Sequence, residues 1–267
     1  MRPFVIALMS CKNYFERRAK NCDTYWLQSA IKPPTGLNLD VKAYIIIGDP
    51  ALKNDEGDFK VETVEGCATP VLKLRCPDNY EGLAKKTRAM YKAIYKMHPD
   101  LQGILKMDDD LYVNVPKLHS YLVEKQKKGT GEKQDFEGYV FDHGAVYSKY
   151  HQGRCEDPEM NKTVLDIPAC KYCRGCFYYL GSNSVKCLID NDSRFVDLTL
   201  EDVSIGYLLF RRKIIAVMNP YMLAPSKDVH LQYQGVFIAV ANPDPFDKTD
   251  SFYKEMKDYT EKVNKNK

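Results

Sequence analysis

The sequence predicts an α/β protein in which a mostly parallel central sheet is flanked by helices. Two observations predict this fold class. Short apolar runs alternate along the chain with longer segments whose apolar residues recur every three or four positions, as on one face of a helix. The chain has 267 residues, enough for one large α/β domain, and it contains no internal repeat or clear linker. We therefore expect a single domain over residues 1–267.

The first three predicted elements form a strand–helix–strand unit. Residues 4–9 are all apolar, which is typical of a strand that is buried on both faces. Residues 14–30 predict a helix, because their apolar members recur at helical spacing. Residues 41–48 form a second apolar run. A strand, a helix and a strand in this order imply a right-handed parallel crossover.

The same two patterns predict the remaining elements. The helix at residues 82–97 is expected to turn Lys86 and three other cations to the solvent. Segments 51–62, 125–134 and 151–166 are charged or polar and predict loops. We expect further strands at 70–75, at 104–107 before the acidic triplet, at 137–147 and at 214–218, and further helices at 115–125, at 184–191 and after 200.

Composition and charge exclude two classes of protein. Lys and Arg number 39 against 36 Asp and Glu, and a net charge of +3 does not indicate a nucleic-acid binder. No apolar run approaches the roughly 20 residues that span a bilayer. The apolar residues near the N-terminus lack a full signal-peptide core and a cleavage site. We therefore expect a cytoplasmic protein without a membrane span.

Three adjacent carboxylates, Asp108, Asp109 and Asp110, follow directly after the apolar run at residues 104–107. Like charges repel, and nothing in a strand requires them. Mg²⁺ and Mn²⁺ take oxygen ligands, often one or two carboxylates together with substrate phosphates. The triplet therefore predicts a metal and diphosphate site at the end of a strand. The alternative is a solvated acidic turn.

A second acidic pair, Glu201 and Asp202, precedes an apolar helix. These acids either complement the dipole at the helix N-terminus, or one of them is a general base that deprotonates an acceptor hydroxyl. His230 is either an ordinary histidine or a neutral imidazole that completes a metal shell begun by Asp110.

Other motifs carry less weight. The spacing of Cys170, Cys173 and Cys176 is similar to a zinc hook, but no second hook accompanies it, and buried thiols or disulfides explain these residues better. The sequence contains no phosphate loop of the GxxxxGK[ST] type, no GxGxxG after the first strand and no GxSxG elbow. A dinucleotide-binding protein and a serine hydrolase are therefore not supported.

The order of these motifs resembles that of the β1,3-galactosyltransferase/Fringe-like glycosyltransferases, the inverting GT-A enzymes of family 31. The closest matches are K-x-DDD-x-[YF]-V-N at residues 106–114 and E-D-V-x-x-G at residues 201–206. Tyr25 and Phe177 depart from the family pattern, which usually has Thr and Gly there. The other matching segments, within roughly residues 4–235, are Arg18 with Trp26, residues 83–87, residues 172–178 and a downstream His, here His230.

The resemblance implies a GT-A-type, Rossmann-like domain. Its nucleotide-sugar half would cover about residues 1–115, and its acceptor half about residues 116–240. A charged tail follows at residues 247–267. Animal and plant members of the family usually carry an N-terminal membrane anchor and work in the Golgi lumen, a location expected here only if the N-terminus has been trimmed.

The resemblance also implies a UDP-sugar donor, a glycan or glycoprotein acceptor, and Mn²⁺ or Mg²⁺ as cofactor. Galactose, N-acetylglucosamine, glucose and xylose all fit as the donor sugar. Asp202 would be the catalytic base, and Asp110 and His230 the metal ligands. Residues expected to bind the nucleotide-sugar are Asp108, Asp109, Ser10, Arg18 and Lys86, and residues expected in the acceptor and donor pocket are Tyr172, Gly175 and Glu201.

Two rival functions make different demands on the sequence. A non-catalytic glycan-binding or scaffold protein with the same fold would be expected to lose the base or the metal acids, and both are present. A metal-dependent phosphohydrolase built on the triplet would need a second cluster of acids or histidines for two metals. The sequence offers no such second cluster, so an inverting UDP-sugar transferase that forms a β-linkage is the favoured interpretation.

Overall fold

The computed structural model of the chain describes residues 1–20, 26–53, 57–64, 67–128, 135–143, 146–149, 155, 157–159, 162, 164–195, 200–224, 237–241, 254–256, 258–259 and 261–262. The strands are β1 (Phe4–Met9), β2 (Val41–Gly48), β3 (Phe59–Val64), β4 (Cys67–Leu74), β5 (Gly103–Asp108), β6 (Leu111–Val113), β7 (Phe136–His143), β8 (Val146–Lys149), β9 (Val164–Ile167), β10 (Cys170–Gly181), β11 (Val217–Met218), β12 (Leu223–Ala224) and β13 (Ala239–Ala241). The helices are α1 (Phe15–Lys20), α2 (Leu27–Ile31), α3 (Leu83–Met97), α4 (Val115–Lys128), α5 (Ser182–Asp190) and α6 (Glu201–Arg211).

A central sheet of eight strands organises the molecule, in the order β11-β7-β10-β5-β1-β2-β4-β3. Strands β5, β1, β2 and β4 run parallel side by side. The long strand β10 lies antiparallel between β5 and β7. A small three-stranded sheet, β12-β13-β6, continues from the end of β5. The predicted α/β fold with helices flanking a large sheet is confirmed.

Both faces of the sheet are buried, as the apolar sequences of its strands require. On β1, Phe4, Ile6 and Leu8 pack with α2 and α4, whereas Val5 and Ala7 pack with α3, α5 and α6. Successive side chains of a strand point to opposite faces, so a strand covered on both sides needs an unbroken apolar run. This is why the sequence pattern located β1 and β2 to the residue.

Five element predictions differ from the structure. The helix expected at 14–30 is two short helices, because Trp26 has non-helical angles (φ −142°, ψ −26°) and enters the core beside α2. The loop expected at 51–62 ends in β3, which pairs with β4, and the loop expected at 151–166 ends in β9, which pairs with β8. The strand expected at 137–147 is divided into β7 and β8. The strand expected at 214–218 is shorter and consists of the two residues of β11. The 12-residue strand β10 had no predicted element.

The side chain of Lys86 faces inward, contrary to the helical-wheel expectation. It is 3% exposed, and its ammonium group donates to the Ser10 carbonyl and, at 2.6 Å, to Asp78 Oδ1. The helix pattern assigned it to the solvent side because it is charged, but a buried lysine is tolerated where its charge is paired. Its position brings α3 into the site described below.

None of the helices in the described ranges is long and apolar enough to cross a bilayer.

Candidate active site

The acidic triplet lies at the carboxyl end of the parallel strands, where open α/β sheets bind their ligands. Asp108 is the last residue of β5 and pairs in register with Met9 of β1. Asp109 and Asp110 form the turn that leads into β6. Asp109 is buried, whereas Asp108 and Asp110 are partly exposed. The turn therefore presents carboxylates at the sheet edge, as the sequence predicted.

The residues predicted to bind a nucleotide-sugar converge beside this turn. The Ser10 hydroxyl donates to Asp109 Oδ2 at 2.6 Å. Lys86 donates to the carbonyl of the same Ser10. Arg18 lies close by, with its guanidinium donating to the carbonyl oxygens of Cys11 and Lys12. Ser10, Arg18, Lys86 and Asp109 thus come from three separate segments but meet at one place.

Asp78 is a member of this cluster that the sequence analysis missed. Its carboxylate accepts from the Lys86 ammonium and from the backbone N–H groups of Gly48, at 2.7 Å, and of Lys12. Gly48 permits this close approach, since a Cβ there would lie 2.6 Å from the Pro77 carbonyl oxygen. Asp78 thereby joins the ends of β1 and β2 to α3. The only sequence signal was an acid just after a strand and a proline.

Lys106 links the triplet to the second acidic pair, and it too was missed. Its side chain is fully buried, at 0% exposure. The ammonium donates to Asp108 Oδ1 at 2.7 Å, to Glu201 Oε1 at 3.0 Å and to the carbonyl oxygen of Gly175. A lysine has three N–H donors, so all are satisfied. Alternate residues of a strand share a face, which explains why Lys106 and Asp108 both turn toward α6.

The charges in this network stabilise one another. Burial lowers the pKa of Lys106, but the carboxylates of Asp108 and Glu201 raise it more, and the net pKa is above the usual range. Lys106 therefore remains protonated. Burial raises the pKa of Asp108, and the neighbouring Lys106 opposes that rise. A buried charge without such partners would be strongly destabilising.

Asp202, the predicted base, lies in the first turn of α6. Its carboxylate accepts the N–H of Gly175 at 3.0 Å and that of Val203 at 2.8 Å. Burial, followed by the charge of Glu201, raises the pKa of Asp202 from 3.8 to about 7, although both backbone donors and Lys106 oppose the rise. A carboxylate with a pKa near neutrality can accept a proton and release it again, which is the requirement for a general base.

Two glycines allow α6 to approach β10 at the site. A Cβ on Gly175 would collide with Glu201 Oε1 and lie 3.2 Å from Asp202 Oδ2. A Cβ on Gly206 would collide with the side chain of Tyr172 and lie 2.9 Å from its Cα. The glycines of both sequence motifs therefore occupy positions where a side chain would push the acids or the helix away.

Tyr172 lies near Gly206 and Asp202. Its ring lies 5.6 Å from that of Phe141 on the neighbouring strand β7. Burial, with the nearby Asp202 carboxylate, raises the pKa of Tyr172 to about 12, so the hydroxyl stays protonated. Tyr172, Gly175, Glu201 and Asp202 are thus brought together, as predicted, and Lys106 connects them to Asp108.

The carboxylates of the triplet are oxygen ligands of the kind that Mg²⁺ and Mn²⁺ take, so this donor set fits a divalent metal. Within the described residues, no three side chains of His, Cys, Asp or Glu converge to hold a metal ion. Asp108 contacts Lys106 and Asp109 contacts Ser10, while Asp110 is partly exposed in the turn. Mg²⁺ and similar ions are commonly bound by one or two carboxylates plus substrate phosphates. His230, the other predicted ligand, lies outside the described residues.

The cysteines do not form the zinc hook that was considered. Cys170, Cys173 and Cys176 are free thiols along β10. Residues three apart in a strand point to opposite faces, and Cys173 is in the core shared with α3 while Cys176 packs on the other face. Burial raises the pKa of each thiol. Cys170 and Cys173 are buried and Cys176 is partly buried, which agrees with the alternative interpretation of buried thiols.

Comparison with solved structures identifies the class of fold. A glycosyltransferase involved in the glycosylation of the major capsid of PBCV-1 aligns with 96% of this chain and 99% of its own, with a TM-score of 0.50 and 11% identity. At that identity the likeness concerns the fold alone. The protein has a glycosyltransferase fold, with its acidic residues at the carboxyl edge of the sheet.

Comparison of sequences identifies the family. The model of the Galactosyltransferase family matches residues 17–220, and the chain belongs to that family. Beta-1,3-galactosyltransferase 4 of Rattus norvegicus is 30% identical over 187 residues, 62% of this chain and 50% of the relative. The Mus musculus protein of that name is 29% identical over 157 residues, 51% of this chain and 42% of the relative. UDP-GalNAc:beta-1,3-N-acetylgalactosaminyltransferase 1 of Mus musculus is 22% identical over 177 residues, which are 66% of this chain and 51% of the relative.

The chain therefore spans about half the length of the curated relatives it matches. The resemblance that was drawn from the acidic motifs is confirmed at the level of the family.

Proposed function

We propose that the protein is a metal-dependent glycosyltransferase that moves a sugar from a UDP-sugar to a hydroxyl group of a glycan or glycoprotein. One observation carries the proposal: Lys106 brings Asp108 of the triplet and Glu201, the neighbour of Asp202, to a single ammonium group. The acidic triplet, which would bind the nucleotide-diphosphate of the donor, therefore lies close to Asp202, which would deprotonate the acceptor hydroxyl. Membership of the Galactosyltransferase family supports sugar transfer as the reaction.

The donor would lie across the ends of β1 and β5. Asp108 and Asp109 would accept from hydroxyls of the ribose and of the donor sugar, since ionised carboxylates only accept hydrogen bonds. Arg18 and Lys86 supply positive charge at the same edge. This placement agrees with the general position of ligands in open α/β sheets.

The metal would be bound by Asp110, with His230 as its proposed partner. The strands before and after residue 230, β12 and β13, pair with each other, and β13 pairs with β6, which follows directly on Asp110. His230 belongs to the segment between these two strands, and only the family resemblance makes it the proposed second ligand. Mn²⁺ or Mg²⁺ held there would act as a Lewis acid that neutralises charge on the departing UDP.

Asp202 would act on the acceptor. Its carboxylate takes the proton of the acceptor hydroxyl while that oxygen forms a bond to C1 of the donor sugar. The bond from C1 to the UDP oxygen breaks on the opposite face, and its electron pair leaves with UDP. A single displacement inverts the anomeric centre, so an α-linked donor yields a β-linkage. General-base catalysis of this kind contributes typically about 10²–10⁴-fold.

The relatives suggest which donor to test first. They are named for β-1,3 transfer of galactose or of N-acetylgalactosamine. We therefore place UDP-galactose and UDP-GalNAc ahead of the other UDP-sugars, and a β1,3 linkage ahead of other linkages.

A screen of labelled UDP-sugars with Mn²⁺, each with and without a set of glycan acceptors, tests the proposal. We expect label to move to an acceptor with one donor, with a much slower release of free sugar when acceptor is omitted. Donor binding without turnover would instead indicate a glycan-binding protein. Metal-dependent phosphate release from any nucleotide, regardless of sugar, would indicate a phosphohydrolase.

A further inference from the structure

The proposed mechanism gives no role of its own to the buried ammonium group of Lys106. It lies in the middle of β5, beside Ala7 of β1 and Tyr178 of β10. A neutral side chain would suit this position on a strand better than a cation, because transfer of a charge from water to the interior is costly unless it is paired. The ion pairs of Lys106 offset that cost, but they do not explain why its partners are residues of the site.

The contacts of Lys106 reach Asp202 by two routes. In the first, Lys106 donates to the carbonyl oxygen of Gly175, while the N–H of the same Gly175 donates to Asp202 Oδ2 at 3.0 Å. In the second, Lys106 donates at 3.0 Å to Glu201, which precedes Asp202 at the start of α6. Its third hydrogen bond goes to Asp108 on the donor side.

We propose that Lys106 is a positioning residue that sets the distance between the donor acids and the base Asp202, by holding β5, β10 and α6 on one ammonium group. This inference rests on the proposed glycosyl transfer. Without Lys106, the carboxylates of Asp108 and Glu201 would repel one another, and the carbonyl of Gly175 would lose a donor. The base would then no longer be kept at a constant distance from the sugar bound to the triplet.

A second buried lysine provides a matched control. Lys125 of α4 is 6% exposed and forms an ion pair with Glu137 of β7, which is also buried. The Glu137 carboxylate further accepts from Tyr121, at 3.1 Å. This pair has a similar burial and the same chemistry, but its residues are not among those of the site. A general loss of stability from unpaired carboxylates should therefore appear in both variants.

The experiment compares Lys106→Met with Lys125→Met. Thermal unfolding, UDP affinity by calorimetry, and kcat and KM for the donor are measured in the full chain. We expect both variants to lose stability, but only Lys106→Met to lose about 100-fold in kcat, the effect of a small misplacement of a catalytic group. Donor KM should change less than kcat, because Asp108 loses a partner but the donor-side contacts among Ser10, Asp109 and Lys86 are left intact.

The pH dependence of kcat/KM distinguishes a positioning role of Lys106 from a purely structural one. The positive charge of Lys106 favours the ionised form of Asp202. Its removal should displace the rising limb of kcat/KM to higher pH in Lys106→Met and leave it in place in Lys125→Met. If Lys106→Met does not fold, Lys106→Arg carries the test. That variant keeps the charge on a longer, planar group, so we expect an unchanged pH profile with a lowered kcat.

The outcomes separate this inference from the function on which it rests. Turnover by the wild-type protein together with equal kcat in Lys106→Met and Lys125→Met, or a wild-type kcat in Lys106→Arg, would overturn the role of Lys106 alone. An absence of turnover by the wild-type protein with every UDP-sugar would overturn the proposed transfer, and the role of Lys106 with it.

Discussion

The substitution Asp202→Asn should separate activity from stability at the candidate site. Asn has the same shape as Asp but cannot accept a proton at neutral pH. If Asp202 is the general base, kcat should fall about 10²–10⁴-fold. Affinity for UDP should be unchanged, because the donor side is formed by the separate contacts around Asp109 and Lys86.

The stability of this variant follows from the raised pKa of Asp202. An acid whose pKa is higher in the folded protein than in the unfolded chain destabilises the fold when it is ionised. Its contribution to stability is complete at pH values below the unfolded pKa, and this contribution is lost as the pH rises through the folded pKa. For Asp202 that window runs from 3.8 to about 7. The ionised carboxylate therefore carries a penalty on the order of a few kcal/mol at pH 8.

Asn removes that penalty and introduces a smaller one. Its carboxamide has a single oxygen, so its NH₂ must face one of the two backbone N–H groups that now donate to Asp202, from Gly175 and Val203. An unsatisfied donor costs about 1–3 kcal/mol. The variant should therefore be at least as stable as the wild-type protein at pH 8, although it is nearly inactive.

Asp192→Asn is the matched control. Asp192 forms ion pairs with Arg88 and, at 3.0 Å, with Lys92, away from the site. Hydrogen bonding from Arg88 lowers the pKa of Asp192 below its usual value, so the ionised form stabilises the fold above the unfolded pKa. This variant should lose stability at pH 8 and keep its transfer activity, which is the opposite of Asp202→Asn.

The assays are transfer of labelled sugar to acceptor and unfolding in urea at pH 8. Near-normal transfer by Asp202→Asn would refute the assignment of the base. A large loss of stability at pH 8 in the same variant would refute the account of its charge, since it would mean that the ionised carboxylate stabilises the folded protein.

Three further predictions concern the same site. In the wild-type protein, kcat/KM should rise with pH to a plateau above about pH 7, because burial raises the pKa of Asp202 to about 7 and only the ionised carboxylate is a base. A flat profile from pH 5 to 8 would argue against Asp202 as the base. Gly175→Ala should lose about 100-fold in transfer but keep UDP affinity, since its Cβ would displace Glu201; wild-type kinetics would show that this close approach is unimportant. Asp110→Ala should lose the Mn²⁺-dependent part of UDP affinity in calorimetry, and an unchanged affinity with Mn²⁺ would remove Asp110 from the metal site.

The parts of the fold that could be predicted from sequence were those that local patterns specify. Strands β1 and β2 are buried on both faces, so their apolar runs have clear ends. The amphipathic helix α3 was predicted for the same kind of reason. Strand β10 was missed because it mixes Lys, Arg, Cys and Tyr, and a β-bulge between Cys173 and Tyr178 interrupts its alternation.

The acidic triplet and the second acidic pair could be predicted, and Arg18 and Lys86 were expected at the site, but Asp78 and Lys106, the cation that connects the acids, could not be predicted. Charged residues on a helix or strand are ordinarily assigned to the solvent, and Lys86 was placed there for that reason. Lys106 meets Glu201 from 95 positions away, and Asp78 accepts from the N–H of Lys12, 66 positions away. Such contacts depend on the order of the strands in the sheet, which local patterns do not contain.

The most direct test of the central claim is the anomeric configuration of the transferred sugar. The claim is that the acidic triplet holds the donor while Asp202, on the acceptor side, activates the attacking hydroxyl. NMR of the product formed with Mn²⁺ from the α-linked UDP-sugar that the screen identifies would report that configuration. A β-linkage is the predicted result, and a product with retained α configuration would contradict the single displacement assisted by Asp202.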